Sequence, residues 1–433
     1  MITRIEVDGF KSLRDFAVDL EPLTAIVGPN GVGKSNLFDA LQLLSGLADT
    51  DVVTALGEGR GSRLDQFARA VGGDSTRITI GVDLLLSGGG AEGGAVMPSR
   101  FHHQIELARV PGLSGVEKLV LQEERLEAIQ LASDAWLAKH PNLATYARYD
   151  DPELSVQTIE DTLSASPRTL RWRSSHQGPW STQTLGSEGM KRSFLAFPPG
   201  LGPPPLVLES VGEALRGFRF LRLEPSKLRL PSDRAAPTTL TPDGSNLPTA
   251  LAALAPEVRA EIRADLARLV PSFKSFEVVR VDDEFRIEVE LTSGQRHSAR
   301  VLSDGTLRLL ALFLLLRSAR PGALIAIEEP ENGVHPGGLR ALIEEIVDAT
   351  TPRGALPPQV LLNSHSPALV AALLHQPDSL VFADLVRRGD GVQSTRMRHV
   401  WREGDPRDRG ATTVSTREVE RLLETVRPVD EVA

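Results

Sequence analysis

Residues 23–41 read LTAIVGPNGVGKSNLFDAL, and the order of residue types in this stretch decides the fold class. Leu23 to Val27 is a short, mostly apolar run of the kind that forms a buried strand. Gly28-Pro29-Asn30-Gly31 ends it, and Leu37, Leu41 and Leu44 then recur at helical spacing. The pattern is strand, glycine loop, helix. Within it, Gly28 to Ser35 fits GxxxxGK[ST]. Glycines let such a loop curl until its backbone N–H groups converge on a phosphate at the positive end of the following helix. Gly28, Asn30, Gly31, Gly33 and Asn36 form or flank that cradle. Lys34 is placed to neutralise β- and γ-phosphate oxygens, and Ser35 Oγ to ligate Mg²⁺.

Farther along the chain, Ala323 to Ile327 reads as a second buried strand and runs into Glu328-Glu329-Pro330-Glu331-Asn332. Carboxylates at the carboxyl end of a parallel strand stand where α/β sheets bind ligands. Neighbours on a strand point to opposite sides, so the two glutamates can take different tasks. Glu328 suits the hydration shell of Mg²⁺, and Glu329 suits orienting or deprotonating an attacking water.

Around these motifs the final third alternates helix and strand: helix Thr306 to Ala319, helix Gly338 to Asp348, strand Gln359 to Leu362, helix Pro367 to Leu374 and strand Leu380 to Ala383. This alternation predicts an α/β sheet covered on both faces. Residues 75–130 read as β, with alternation at Ile78, Ile80, Val82 and Leu84 and strands over His102 to Val110 and Lys118 to Glu123. Asn246 to Val270 reads as one helix, and Phe276 to Leu291 as a hairpin turning at Asp282-Asp283. The expected division is an N-terminal lobe over 1–130, an irregular insertion over 131–245, a C-terminal lobe over 246–400 and a tail over 401–433.

Composition sets limits on function. Of 433 residues, 41% are hydrophobic and 24% charged, as in globular chains rather than disordered ones. The net charge of −9 argues against coating nucleic acid through overall positive charge and confines any such contact to a local face. There is no cysteine, which excludes thiol catalysis, disulfides and cysteine-ligated zinc. LLALFLLL (309–316) is too short to span a bilayer, so no membrane partner and a cytoplasmic location are expected.

The chain resembles the ABC-type ATPase heads of the RecF, SMC and OLD group, most closely the stand-alone RecF-like ATPases of bacteria. The resemblance rests on IEVDGFKSL (5–13), GPNGVGKSN (28–36), DGSNL (243–247), LSDGTLRLLAL (302–312), IAIEEPENGVHP (325–336) and NSHSP (363–367), in the family's order. It implies a P-loop NTPase fold with a mixed sheet, an antiparallel β-rich lobe, and ATP and Mg²⁺ as ligands. Ser303 and Gly305 match the signature motif that faces the γ-phosphate of a second protomer, which implies an ATP-dependent homodimer. Asn332 to His335 match the D-loop, and His365 matches the switch histidine. Glu328 stands where the family often has Asp. None of Gln66, Gln104 or Gln122 has the surroundings of the family's Q-loop glutamine.

Other signals are weaker. His102-His103 are strand neighbours and should face opposite ways, against a shared metal. Arg171-Trp172-Arg173, with Trp180, could stack on bases and pair with phosphates, but an amphipathic strand with one buried aromatic is the favoured reading. Arg216 to Arg234 carries six cations and is the best local candidate for a nucleic-acid-facing strip, although a solvated basic edge accounts for it as well. Asp384, Asp390 and Asp405 form no DxD pattern, and few residues follow His365, so no nuclease is expected. The functional expectation is an ATP-hydrolysing switch in DNA repair, maintenance or anti-phage defence. The alternative is an ATP-gated module that controls a separate effector protein and turns over little. A P-loop kinase is disfavoured by the signature and switch-histidine matches.

Overall fold

The computed structural model describes residues 1–69, 73–87, 99–112, 116–147, 155–159, 168–173, 181–185, 191–196, 206–334, 336–387, 392–401 and 413–424. Leu23–Val27 forms a strand with all five residues buried. It lies at the centre of a seven-stranded sheet ordered Arg219–Leu221, Leu324–Glu328, Gln359–Ser364, Leu23–Val27, Leu380–Arg387, Gln393–Trp401, Thr413–Ser415. The first five strands are mutually parallel, and Gln393–Trp401 runs antiparallel to its neighbour Leu380–Arg387.

Alternate residues of these strands enter two different cores, as a period of two requires. Ile26, Leu324, Ala326 and Leu361 pack with Leu37, Leu41 and Leu44 of the helix Lys34–Leu47. Ala25, Val27, Ile325, Ile327 and Leu362 pack instead on the other face, with Leu307 and Leu310 of the helix Asp304–Ser318. The sheet is therefore covered on both sides, and its strand ends are the free place for a site.

An eight-stranded antiparallel sheet forms the β-rich lobe, in the order Phe16–Asp19, Ile2–Asp8, Arg77–Leu85, Arg100–Pro111, Glu117–Ala128, Ser155–Ile159, Arg168–Arg173, Ser181–Leu185. A smaller sheet contains the expected hairpin, Phe273–Val281 and Glu284–Leu291, which turns at Asp282 with φ 52°.

Two sequence readings change. The single helix over Asn246 to Val270 is two, Leu247–Ala252 and Pro256–Leu269. Pro256 has no N–H to donate and forces Ala255 out of the helical region (ψ 148°), so the chain breaks there. Nor is 131–245 one irregular insertion. Its first half adds the last three strands to the β-rich sheet, and Arg219–Leu221 is the edge strand of the central sheet, parallel to Leu324–Glu328.

Candidate functional site

Gly31 and Gly33 carry φ values of 80° and 93° in the left-handed region, and Gly33 precedes the first turn of the helix Lys34–Leu47. At Gly33 glycine is obligatory on two counts. A Cβ there would stand 2.0 Å from Thr395 Oγ1 and 2.4 Å from Ser12 Oγ. Those hydroxyls brace the loop: Asn36 Nδ2 donates to Ser12 Oγ (2.7 Å), Ser12 Oγ and Thr395 Oγ1 lie 2.6 Å apart, and Thr395 Oγ1 donates to Val32 O (2.8 Å).

Lys34 is 7% exposed, and its Nζ donates to the Gly28 and Pro29 carbonyls, each at 2.7 Å. Burial pushes its pKa down to about 8, against the opposing attraction of Glu329 and Glu331. Ser35 Oγ accepts from Asn363 Nδ2 at 3.0 Å.

The acidic strand meets this loop through Asn363. Glu328 pairs in register with Asn363 across the parallel ladder, and Glu329 N–H donates to Asn363 O at 2.8 Å. Glu329 has φ 51°, a conformation that costs a non-glycine residue energy and is characteristic of functional sites. Its carboxylate accepts from Asn332 Nδ2 and lies 3.5 Å from His365 Nδ1. Glu331 accepts from Ser364 Oγ through one oxygen, and its other oxygen is buried without a hydrogen-bond partner among the described residues. Lys34, Ser35, Asn36, Glu329, Asn363 and His365 thus border one cleft of about 350 Å³, within the range of small-molecule sites. Adjacent Glu328 is not among the residues lining it; its carboxylate meets Arg222 and Arg60, and Arg60, which does line the cleft, also donates to Ser35 O at 3.0 Å.

Ser303 and Gly305 do not line this cleft. Ser303 caps the helix Asp304–Ser318, accepting from Thr306 N–H at 3.2 Å. Gly305 touches the D-loop: a Cβ there would be 2.0 Å from Gly333 O. Arg308 Nη1, one turn on, donates to Asn332 O at 2.7 Å. His335, the end of the D-loop match, lies outside the described residues.

Sequence reasoning missed the charged cluster on the wall of the cleft, where Lys11, Asp39 and Arg60 line it. Asp39, its side chain 1% exposed, is bound by Lys11 Nζ (2.7 Å), Arg60 Nε (3.1 Å) and Arg222 Nη2 (3.0 Å). Burial alone would raise its pKa; Arg60 and Lys11 more than reverse that, so it is held below the usual carboxylate range. These residues come from four separate segments, and only the fold brings them together. Gln66 buries its amide against the Arg60 and Ser62 carbonyls, supporting the Arg60 loop from outside the cleft.

The remaining candidates settle as follows. His102 contacts Asp83 while buried His103 contacts Glu124, on opposite faces as expected. The Arg216 to Arg234 strip is not a free cationic face. Arg216 and Arg219 donate to carbonyls, Lys227 pairs with Glu224 and Asp243, Arg229 with Asp304, and Arg222 with Asp39. Asp384 is held by Arg396 and Arg398. The side chains of Arg171, Trp172 and Arg173, together with Trp180, Asp390 and Asp405, lie outside the described residues. DGSNL is structural: Asn246 bridges Thr241 N–H and the carbonyls of Pro237 and Thr239.

The donor set fits Mg²⁺·ATP. One hydroxyl (Ser35) and one carboxylate (Glu328) are hard oxygen ligands of the number Mg²⁺ takes from protein when phosphates supply others. Among the described residues no cluster of three or more His, Cys, Asp or Glu could hold a metal unaided. The lysine satisfied by loop carbonyls and the left-handed glycines form a cradle open to phosphate.

Two family models match: "AAA ATPase domain" over residues 1–67, and "AAA domain, putative AbiEii toxin, Type IV TA system" over residues 203–371. The chain is 48% identical over 46 residues to the OLD nuclease of Thermus scotoductus, 11% of this chain and 9% of that protein. It is 46% identical over 48 residues to the Structural maintenance of chromosomes protein 1 of Schizosaccharomyces pombe, 11% of this chain and 4% of that one. Both matches therefore span a small fraction of the relatives' length. The crystal structure of the SmcHead bound to the C-winged helix domain of ScpA aligns over 92% of this chain and 98% of that one, with a TM-score of 0.51 at 13% identity, a likeness of fold. Fold, ordered motifs and family models together support an ATPase resembling the ABC-type heads of the RecF, SMC and OLD group.

Proposed function

We propose that this chain is an ATP-hydrolysing switch whose two copies close on two Mg²⁺·ATP molecules. The observation that carries the reading is the Asn363 bridge, which brings the phosphate loop (through Ser35) and the acidic strand (through Glu329) to one cleft. Lys34 would leave its loop carbonyls for β- and γ-phosphate oxygens. Ser35 and Glu328 would hold Mg²⁺, which when bound neutralises phosphate charge. Glu329, fixed by Asn332 and the Asn363 carbonyl, would take the proton of the attacking water, and His365 beside it would sense the γ-phosphate. Ser303 and Gly305, outside their own cleft and at a helix start, would complete the site of a second copy.

The resemblance supports a role in DNA repair, maintenance or anti-phage defence, and a cytoplasmic location. No described helix is long and apolar enough to cross a membrane. DNA remains a partner by resemblance; the Arg216 to Arg234 strip does not supply its contact surface.

Steady-state ATPase assays with light scattering test the switch. Mg²⁺-dependent multiple turnover and an ATP-dependent doubling of mass are expected. Tight ATP binding with no multiple turnover would instead favour the module that controls a separate effector. ATP affinity should also fall as pH rises through about 8, approaching tenfold per unit above it, because Lys34 loses its proton there in the free protein. Binding should then take up protons, measurable by calorimetry in two buffers of different ionisation enthalpy. A flat affinity from pH 7 to 9.5 would remove Lys34 from the phosphate contact.

A further inference from the structure

Two guanidinium groups share the same two carboxylates at the edge of the cleft, which Arg60 and Asp39 line. Arg60 reaches Asp39 at 3.1 Å and Glu328 at 3.3 Å; Arg222 reaches Asp39 at 3.0 Å and Glu328 at 3.7 Å. Lys11 adds a third cation on Asp39. Three positive charges thus meet two negative ones, and Arg60 also donates to Ser35 O at 3.0 Å, so the surplus lies beside the phosphate loop. The contacts are unequal. Asp39 is fully buried and close to its partners, an anchor. Glu328 is looser at both arginines, and Arg222 is 41% exposed and free to re-orient toward solvent. The edge strand sets this up: Leu221 pairs with Ile327 in parallel register, which places Arg222 beside Glu328.

Resting on the nucleotide reading above, we infer that Arg222 and Arg60, anchored on Asp39, hold Glu328 as stand-ins for the metal's charge and yield it on loading. The pair thereby sets how strongly nucleotide binding depends on Mg²⁺. While the arginines hold Glu328, the carboxylate is neutralised, and a divalent cation must displace them against like-charge repulsion. Their charge stays near the phosphates and supports nucleotide binding even without metal. Arg222 is on this account a positioning residue acting through Glu328.

The measurement is the dissociation constant of a fluorescent ATP analogue for the full chain, once in EDTA and once in excess Mg²⁺. Their ratio is the metal dependence. In Arg222→Gln the metal-free affinity should fall and the Mg²⁺ midpoint should move lower, raising the ratio about tenfold, the size expected for one unit charge several ångströms away. Arg222→Lys, which keeps the charge, should stay within about twofold of the natural chain. Arg60→Gln should move the ratio in the same direction. Either glutamine variant leaves Asp39 with two cations, so each keeps the buried carboxylate paired. A purely structural arginine would change both dissociation constants by one factor. An unchanged ratio in a variant that still binds nucleotide overturns the inference alone. Failure of the natural chain to bind under either condition overturns the nucleotide reading, and the inference falls with it.

Discussion

Glu329→Gln should lower steady-state ATP turnover by about a thousandfold, within the range for loss of a general base, and on the proposed mechanism should leave an ATP-bound dimer that persists. The amide is nearly isosteric with the carboxylate, and its oxygen can still accept from Asn332 Nδ2. The backbone bond from residue 329 to Asn363 O does not involve the side chain, so the link between the acidic strand and the phosphate loop survives. What disappears is the base, and with it one negative charge facing Lys34. Binding should therefore hold or tighten while chemistry stops, and light scattering should show the heavier species outlasting that of the natural chain. Turnover within a few-fold of the natural chain would sink the assignment of Glu329.

Lys34→Ala should lower ATP affinity by a hundredfold or more, since charge-assisted hydrogen bonds to two phosphates are each worth about 1.5–3 kcal/mol. The same change should leave the free protein no less stable near neutral pH. With a folded-state pKa of about 8, below the ordinary lysine value, the folded chain binds fewer protons than the unfolded one between about 8 and 10.5. Below that window the charged ammonium opposes folding, and stability rises with pH across it. Removing the side chain lifts that penalty. Equilibrium titration with a labelled nucleotide and thermal unfolding at pH 7 check the pair: affinity lost, unfolding midpoint equal or higher. A variant that unfolds early would show that Lys34 holds the loop together, and weak binding would then say nothing about phosphate.

The parts of the site that share a short stretch of chain were legible. Leu23 to Ser35 and Ala323 to Glu329 each state a strand and its polar end within about a dozen residues, and burial of the apolar run fixes where that end must lie. The alternation of the final third was legible for the same reason. Arg219–Leu221 was not: three residues show no period, and its strand identity comes from the ladder with Ile325, Ala326 and Ile327. Pro256 was visible, yet the helical spacing on both sides hid the break it makes. The Asp39 cluster has no local signature, because Lys11, Asp39, Arg60 and Arg222 are joined only by tertiary contact. Asn363 appeared within a motif, but its bridging task depends on its strand lying between Leu324–Glu328 and Leu23–Val27, which brings it to Ser35, 328 residues away in the chain.

The brace behind Gly33 has a consequence for how the protein is made. Leu23–Val27 leaves the ribosome well before its two flanking strands, Gln359–Ser364 and Leu380–Arg387, and before Thr395, on which the loop leans. Until those later strands emerge, the nascent phosphate loop lacks both its flanking strands and its brace. Closing so long a stretch of polypeptide is slow compared with pairing adjacent strands. The loop therefore gains its neighbours and its brace only once the strand carrying Thr395 has been made, and any affinity for phosphate that depends on that brace arrives with it.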